Sequence, residues 1–168
     1  MNKRLDEQFE KVLAVYPKAK GYAYVLMEGP TQVLEQKMVS ISPVDNTKIL
    51  KEITDLLKTH TPQALILEDT NGKFSRKGGR GKQLIRSLCL SAKYLGISVY
   101  SYAREDIRFV FEIWRAKTKY EIAEVIAKNI KGFEMLLYPK PKYPGSQKYL
   151  TALFDAVSLG ITHYYKTT

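Results

Sequence analysis

The sequence predicts an α/β fold in which a mixed β-sheet of about five strands is flanked by helices on both faces. Three observations lead to this prediction. Three strand-like segments come first, helical and strand-like segments then alternate, and a last helical pattern follows a proline-rich loop. Residues 1–168 are expected to form one domain, because no repeat, low-complexity tract or linker divides them.

The first three strands are predicted from apolar, aromatic and β-branched runs. Residues 11–16 (KVLAVY) form a short apolar run that Pro17 is expected to end, and residues 21–27 (GYAYVLM) are aromatic and β-branched. Residues 32–41 (QVLEQKMVSI) have the mixed polarity of a strand at a sheet edge. Three such segments in succession predict antiparallel pairing.

The middle of the chain alternates between helix and strand. A helix is expected after a cap at Asp45 or Asn46, because apolar residues then recur at helical spacing. Residues 64–67 (ALIL) are an apolar run followed by acids, as in a central parallel strand covered on both faces. A second helix is expected to end at Gly96, and residues 97–102 (ISVYSY) are the fifth predicted strand.

Two more helices are predicted towards the end of the sequence. Thr118 and Glu121 have the spacing of a capping box, and apolar residues follow them at helical positions. The last helix is expected over about residues 146–164, after the loop YPKPKYPG.

Composition predicts a globular protein that attracts polyanions. The chain has 27 Lys and Arg against 17 Asp and Glu, a net charge of +10, which favours contact with nucleic-acid backbones. No apolar run approaches the roughly 20 residues that span a bilayer. The N-terminal residues do not resemble a signal peptide, and the single Cys89 cannot form an internal disulfide. We therefore expect a cytoplasmic protein with no membrane partner.

Candidate chemistry lies where the strands end. In open α/β sheets, ligands bind outside the carboxyl ends of the strands. Tyr16 ends the first predicted strand, Glu68 and Asp69 follow the fourth, and Asp155 lies in the last helix. Carboxylates gathered at such an edge suit two divalent metals about 3.5–4 Å apart, which activate a water against a phosphodiester.

Four segments, in order, resemble the RuvC-type Holliday junction resolvases of the RNase H-like superfamily, and the resemblance covers nearly the whole chain. They are VLAVYPKAKGYAYVLME, ALILED, VYSYAREDIRFVFEIWRAKTKYEIAEVI and FDAVSLGITHYY. The resemblance implies an RNase H-like fold, Mg²⁺ or Mn²⁺ as cofactor if the site is active, branched DNA as partner in recombination, and a homodimer.

The resemblance carries over two of the family's four acids. Glu68 matches the acid of the fourth strand and Asp155 the last acid of the final helix, so these two are the expected catalytic and weak metal-binding residues. Tyr16 and Ala152 occupy the places of the other two acids. Since a phenol has a pKa near 10, Tyr16 is a poor ligand for Mg²⁺. Asp69 is the candidate substitute acid, if the strand ends at Glu68.

Several basic residues are predicted to contact nucleic acid. Arg108 and Lys119 match basic positions of the family, and Lys18 lies beside the site, where its ammonium is hypothesised to fill the space of a metal. The Gly-rich run KFSRKGGRGK lacks the P-loop spacing, so it is either a solvated loop or a loop that contacts phosphates. Its basic residues are Lys73, Arg76, Lys77, Arg80 and Lys82.

Other side chains receive simpler expectations. Most aromatic residues are expected in the core, with Tyr138 and Tyr143 as candidates to stack on unpaired bases. His163 is expected at the surface, and the helix dipole alone accounts for His60.

The sequence therefore predicts a nucleic-acid-binding protein, with structured or branched DNA as ligand and an impaired nuclease site. An active Mg²⁺- or Mn²⁺-dependent endodeoxyribonuclease that uses Glu68, Asp155 and Asp69 is the alternative. A protein–protein adaptor on the same fold is the second alternative. The choice between DNA and RNA stays open.

Overall fold

Five strands form one sheet in the order β3-β2-β1-β4-β5. The computed structural model describes residues 8–71, 78–140, 142 and 151–167. Strands β1, β2 and β3 pair antiparallel, whereas β4 is parallel to β1 and β5 is parallel to β4. This mixed sheet confirms the predicted fold class. The strands are β1 Val12–Lys18, β2 Gly21–Met27, β3 Val33–Ser40, β4 Ala64–Glu68 and β5 Ser98–Tyr102.

Helices cover both faces of the sheet. Helices α1 and α2 pack on one face, and α3, α4 and α5 pack on the other. Within the described ranges, no helix is long and apolar enough to cross a membrane. The helices are α1 Asn46–His60, α2 Gly79–Tyr94, α3 Arg104–Phe111, α4 Lys119–Asn129 and α5 Thr151–Thr167.

The alternation of side chains along β1 and β4 creates the two cores. Leu13 of β1 and Leu65 of β4 face α1 and α2, whereas Ala14 and Ile66 belong to the core that includes α5. Because successive side chains in a strand point to opposite faces, the next α5-facing position of β4 is that of Glu68.

Helix α5 is buried on nearly every side. Of the residues from Ala152 to Tyr164, all are buried except the partly exposed Asp155. Its close packing on the sheet depends on Gly160, where a Cβ atom would overlap the sulfur of Met27 in β2. Asp155 is therefore carried by a helix that the core fixes in position.

Strand β1 differs from the prediction at its end. It continues through Pro17 to Lys18. The parallel pairing of β1 with β4 covers only Val12–Ala14, so the missing N–H of Pro17 interrupts no bond to β4.

The helices also differ from the prediction. Helix α2 begins at Gly79, inside the Gly-rich basic run that was expected to be a loop. Helix α3 was not predicted, because its eight residues are too few to show a clear periodicity. The predicted start of the last helix, at about residue 146, lies outside the described residues.

Candidate functional site

The carboxyl ends of β1 and β4 meet α5 at one edge of the sheet. Tyr16 packs against the same core as α5, and its phenol interacts electrostatically with Asp155 and Glu68. The Oε2 atom of Glu68 is buried. The structure thus brings together three positions that are 52 to 139 residues apart in the sequence.

The phenol of Tyr16 is held in its neutral form. Burial raises the pKa of Tyr16 far above the usual value of 10.0, and the carboxylates of Asp155 and Glu68 raise it further, against an opposing effect of Arg104. A neutral phenol contributes no negative charge to the site. Tyr16 therefore does not replace a metal-binding carboxylate.

An ammonium group stands beside Asp155. The Nζ atom of Lys119 is 3.7 Å from Oδ2 of Asp155, and the two side chains are 26% and 18% exposed. Lys119 is the first residue of α4 and lies inside the predicted capping box, directly after Thr118. In that box the backbone N–H of Glu121 donates to Oγ1 of Thr118 and the backbone N–H of Thr118 donates to Oε1 of Glu121, both at 3.1 Å. The cap fixes the helix end that carries Lys119.

Arg104 is a site residue that the sequence analysis missed. It is the first residue of α3, and it lines the same small cavity as Lys119, Asp155 and Tyr138. Its position directly after the parallel strand β5 was the available signal, because β4 and β5 end at the same edge. Arg108 lies one helical turn further along α3 and is exposed.

The other candidate acid positions do not complete a carboxylate cluster. Ala152, one turn before Asp155, is buried. Oδ1 of Asp69 accepts a 2.9 Å hydrogen bond from the backbone N–H of Asn71, and the backbone N–H of Asp69 donates to the carbonyl of Tyr102 at 2.9 Å. The strand does end at Glu68, but Asp69 is engaged in the turn that follows.

The residues at this edge do not fit a pair of divalent metals. In the part of the chain that the structure describes, no group of three or more Asp, Glu, His or Cys is placed to hold a metal ion. Two divalent ions need several oxygen ligands each. Glu68 and Asp155 are two carboxylates only, and the second has a lysine beside it.

Solved structures show which fold this arrangement belongs to. Thermus thermophilus RuvC in complex with a Holliday junction substrate is similar over 94% of both chains, with a TM-score of 0.67 and 17% identity. The fold is that of RuvC. The yeast mitochondrial Holliday junction resolvase shares this RuvC-type fold over 96% of the present chain and 82% of its own, with a TM-score of 0.63 and 11% identity.

The fowlpox virus resolvase, in a complex with its Holliday junction DNA, also has the RuvC-type fold. It matches over 92% of this chain and 99% of its own, with a TM-score of 0.54 and 12% identity. Neither a protein-family model nor a curated protein matches the sequence.

The basic residues predicted to contact nucleic acid differ in their exposure to solvent on this RuvC-type fold, and some of them lie outside the described residues. Lys73, Arg76 and Lys77 lie outside the described residues. Lys82 is exposed on the first turn of α2. Lys18 is partly buried at the end of β1, and burial lowers its pKa.

Arg80 has a structural role. Its guanidinium donates to the carbonyl oxygen of Lys18 at 3.0 Å, to that of Ala19 at 3.3 Å, and to Oδ1 of Asn46 at 2.8 Å. These bonds tie the start of α2 to the β1–β2 turn and to α1. Part of the hydrogen-bonding capacity of Arg80 is therefore used within the protein and is not available to a phosphate.

Two of the simpler expectations about histidines are wrong. His163 is fully buried, with Nδ1 at 2.9 Å from the hydroxyl of Tyr102 and Nε2 at 3.5 Å from Oε2 of Glu10. It is buried because α5 packs on all sides up to Tyr164. His60 is not explained by the helix dipole alone, since its Nε2 is 2.9 Å from Oε2 of Glu35.

The prediction that Tyr138 stacks on bases is also wrong. Tyr138 is buried, and its ring packs edge-on against Tyr120 and Phe154. Its position directly before a basic loop suggested exposure, but the core beneath the site extends to it. Tyr143 lies outside the described residues.

Proposed function

We propose that this protein binds structured or branched DNA, chiefly through the phosphate backbone, and that its metal-dependent nuclease site is impaired. The observation that carries the proposal is the composition of the site on a RuvC-type fold. Lys119 and Arg104 stand beside Asp155, and the neutral phenol of Tyr16 stands near the end of the first strand. This arrangement places two basic side chains among the carboxylates at the edge of the sheet and supplies too few carboxylates for two metals.

The distribution of charge supports contact with a phosphate backbone. The net charge of +10 favours polyanions in general. Arg104 and Arg108 are four residues apart on α3 and so share one face of that helix, which starts at the same edge. Two similar solved structures, of Thermus RuvC and of the fowlpox virus resolvase, are complexes with Holliday junction DNA.

A binding titration tests the proposal. Fluorescence anisotropy is measured in chelator with a labelled four-way junction, a duplex and a single strand, at two salt concentrations. We expect affinity for the junction to be highest and to fall steeply with salt, because each phosphate contact contributes about 0.9 to the logarithmic salt slope. Salt-independent or undetectable binding to all three ligands would favour the protein–protein adaptor.

A matched pair of variants localises the binding surface. Arg108→Gln removes an exposed charge near the site, and we expect it to weaken binding to all three ligands and to reduce the salt slope by about 1. Lys58→Gln removes an exposed charge from α1, on the opposite face of the sheet, and serves as the control. Equal losses for the two variants would argue against a surface next to α3.

Incubation of the labelled junction with Mg²⁺ or Mn²⁺ tests the state of the nuclease site. We expect no cleavage, or a trace that Glu68→Gln does not change. Efficient cleavage by the wild-type protein that Glu68→Gln abolishes would establish the active endonuclease instead.

A further inference from the structure

We propose that the side chains of Arg104 and Lys119 take the electrostatic place of divalent metals in this site, which is therefore complete without a metal. This inference concerns the folded protein alone, and its test uses no nucleic acid. It stands or falls separately from DNA binding.

The charges at the edge of the sheet balance one another. Glu68 and Asp155 supply two carboxylates, and Arg104 and Lys119 supply two cations. Tyr16 adds no charge, because a phenol is neutral at pH 7. A divalent cation entering this group meets two fixed positive charges in addition to two negative ones, so its attraction to the site is largely cancelled.

The space at the cations is also small. Arg104, Lys119 and Asp155 line a cavity of about 30 Å³ together with Tyr138 and Phe154, on the Asp155 side of the site, and Glu68 does not line it. Such a volume accommodates about one or two water molecules. With Arg104 and Lys119 in place, the space beside Asp155 does not hold a Mg²⁺ ion together with the several waters that such an ion keeps.

Both cations stand at positions that helix energetics disfavour. Arg104 is the first residue of α3 and Lys119 is the first residue of α4. The positive end of a helix dipole favours acids there and opposes a cation by about 0.3–1 kcal/mol. Two cations at two helix starts, both lining one cavity with Asp155, indicate that the carboxylate offsets this cost. Side chains chosen only for helix stability would not be basic at these positions.

Thermal unfolding in chelator and in Mn²⁺ tests the inference. The double variant Arg104→Gln with Lys119→Gln removes both cations and keeps long polar side chains. The control variant Arg86→Gln with Lys128→Gln removes the same charges from exposed positions on α2 and α4. All proteins are the full chain, and Mn²⁺ bound to each is counted from the electron paramagnetic resonance signal of the free ion.

We expect wild type and control to bind no Mn²⁺ at the site and to have the same Tm in both conditions. The double variant should melt lower in chelator, because Glu68 and Asp155 then lose the two cations beside them. Mn²⁺ at about 100 times its dissociation constant should raise the Tm of this variant by about 5–10 °C.

Three results would overturn the inference. The first is that the wild-type protein binds Mn²⁺ stoichiometrically and that Glu68→Gln abolishes this binding. This result does not depend on whether the double variant folds. The second is a folded double variant whose Tm and bound Mn²⁺ do not respond to the metal. The third is a metal response in the control equal to that in the double variant, which would show a general effect of net charge.

Discussion

Adding two acids at the edge of the sheet should make the stability of the protein depend on metal. Tyr16→Asp with Ala152→Asp would place four carboxylates at the edge where Glu68 and Asp155 now meet. Two like charges about 4 Å apart repel by about 4 kcal/mol at an effective dielectric constant of about 20. Arg104 and Lys119 offset part of this repulsion.

The magnitude is large relative to the stability of an ordinary domain. A net loss of about 3–4 kcal/mol is a substantial part of a typical 5–15 kcal/mol. For a chain of this length, about 2–4 °C of Tm corresponds to each kcal/mol, so the Tm in chelator should fall by roughly 10 °C. Mn²⁺ should recover part of the loss, because it binds only the folded carboxylate cluster.

The matching neutral variant separates charge from packing. Tyr16→Asn with Ala152→Asn makes the same changes of size without adding charge. Calorimetric melts of both double variants in chelator and in Mn²⁺, followed by incubation with a labelled junction, give the comparison. An equal Tm loss in both variants with no rescue by Mn²⁺ would refute the electrostatic reasoning.

Three further changes test other parts of the structure. Burial lowers the pKa of His163 against the opposing effect of Glu10, so the unfolded chain takes up a proton first as the pH falls below about 6.5. Tm should therefore drop between pH 7 and pH 5, and His163→Gln should flatten that slope in melts across the range. Tyr164→Phe removes the hydroxyl that donates to the carbonyl oxygens of Glu10 and Met27, and urea unfolding should show a loss of about 1–3 kcal/mol. Thr118→Ala removes the cap before Lys119 and should lower the free energy of unfolding in urea by about 1 kcal/mol. Thr118→Ser keeps a capping hydroxyl and should retain most of that stability.

The sheet was predictable because most of its strands are short runs of apolar, aromatic or β-branched residues that turn residues or helical patterns bound. Gly21–Met27 was predicted with the bounds that the structure has, since every residue of that strand is buried. The capping box at Thr118 and Glu121 was also predicted, because its spacing depends only on local geometry. Local patterns of this kind can be recognised in a single sequence.

Side-chain burial at the site was less predictable, because it depends on contacts between distant segments. His163 and Tyr138 stand near polar or basic neighbours in the sequence, yet α5 and its surroundings bury both. Arg104 was not predicted as a site residue, because nothing in the neighbouring sequence indicates that the start of α3 lies across a cavity from Asp155. Only the parallel order of β4 and β5 implies that meeting.

The long-range anchoring of α5 has a consequence for how the chain folds. The hydroxyl of Tyr164 bonds to the carbonyl of Glu10, 154 residues away in the sequence, and α5 packs on β1 and β2, which are made first. Contacts of such high sequence separation form slowly, because the intervening loop must be closed before they stabilise anything. During synthesis, the face of the sheet that α5 covers would stay exposed until α5 has left the ribosome. The edge that includes Asp155 would assemble last.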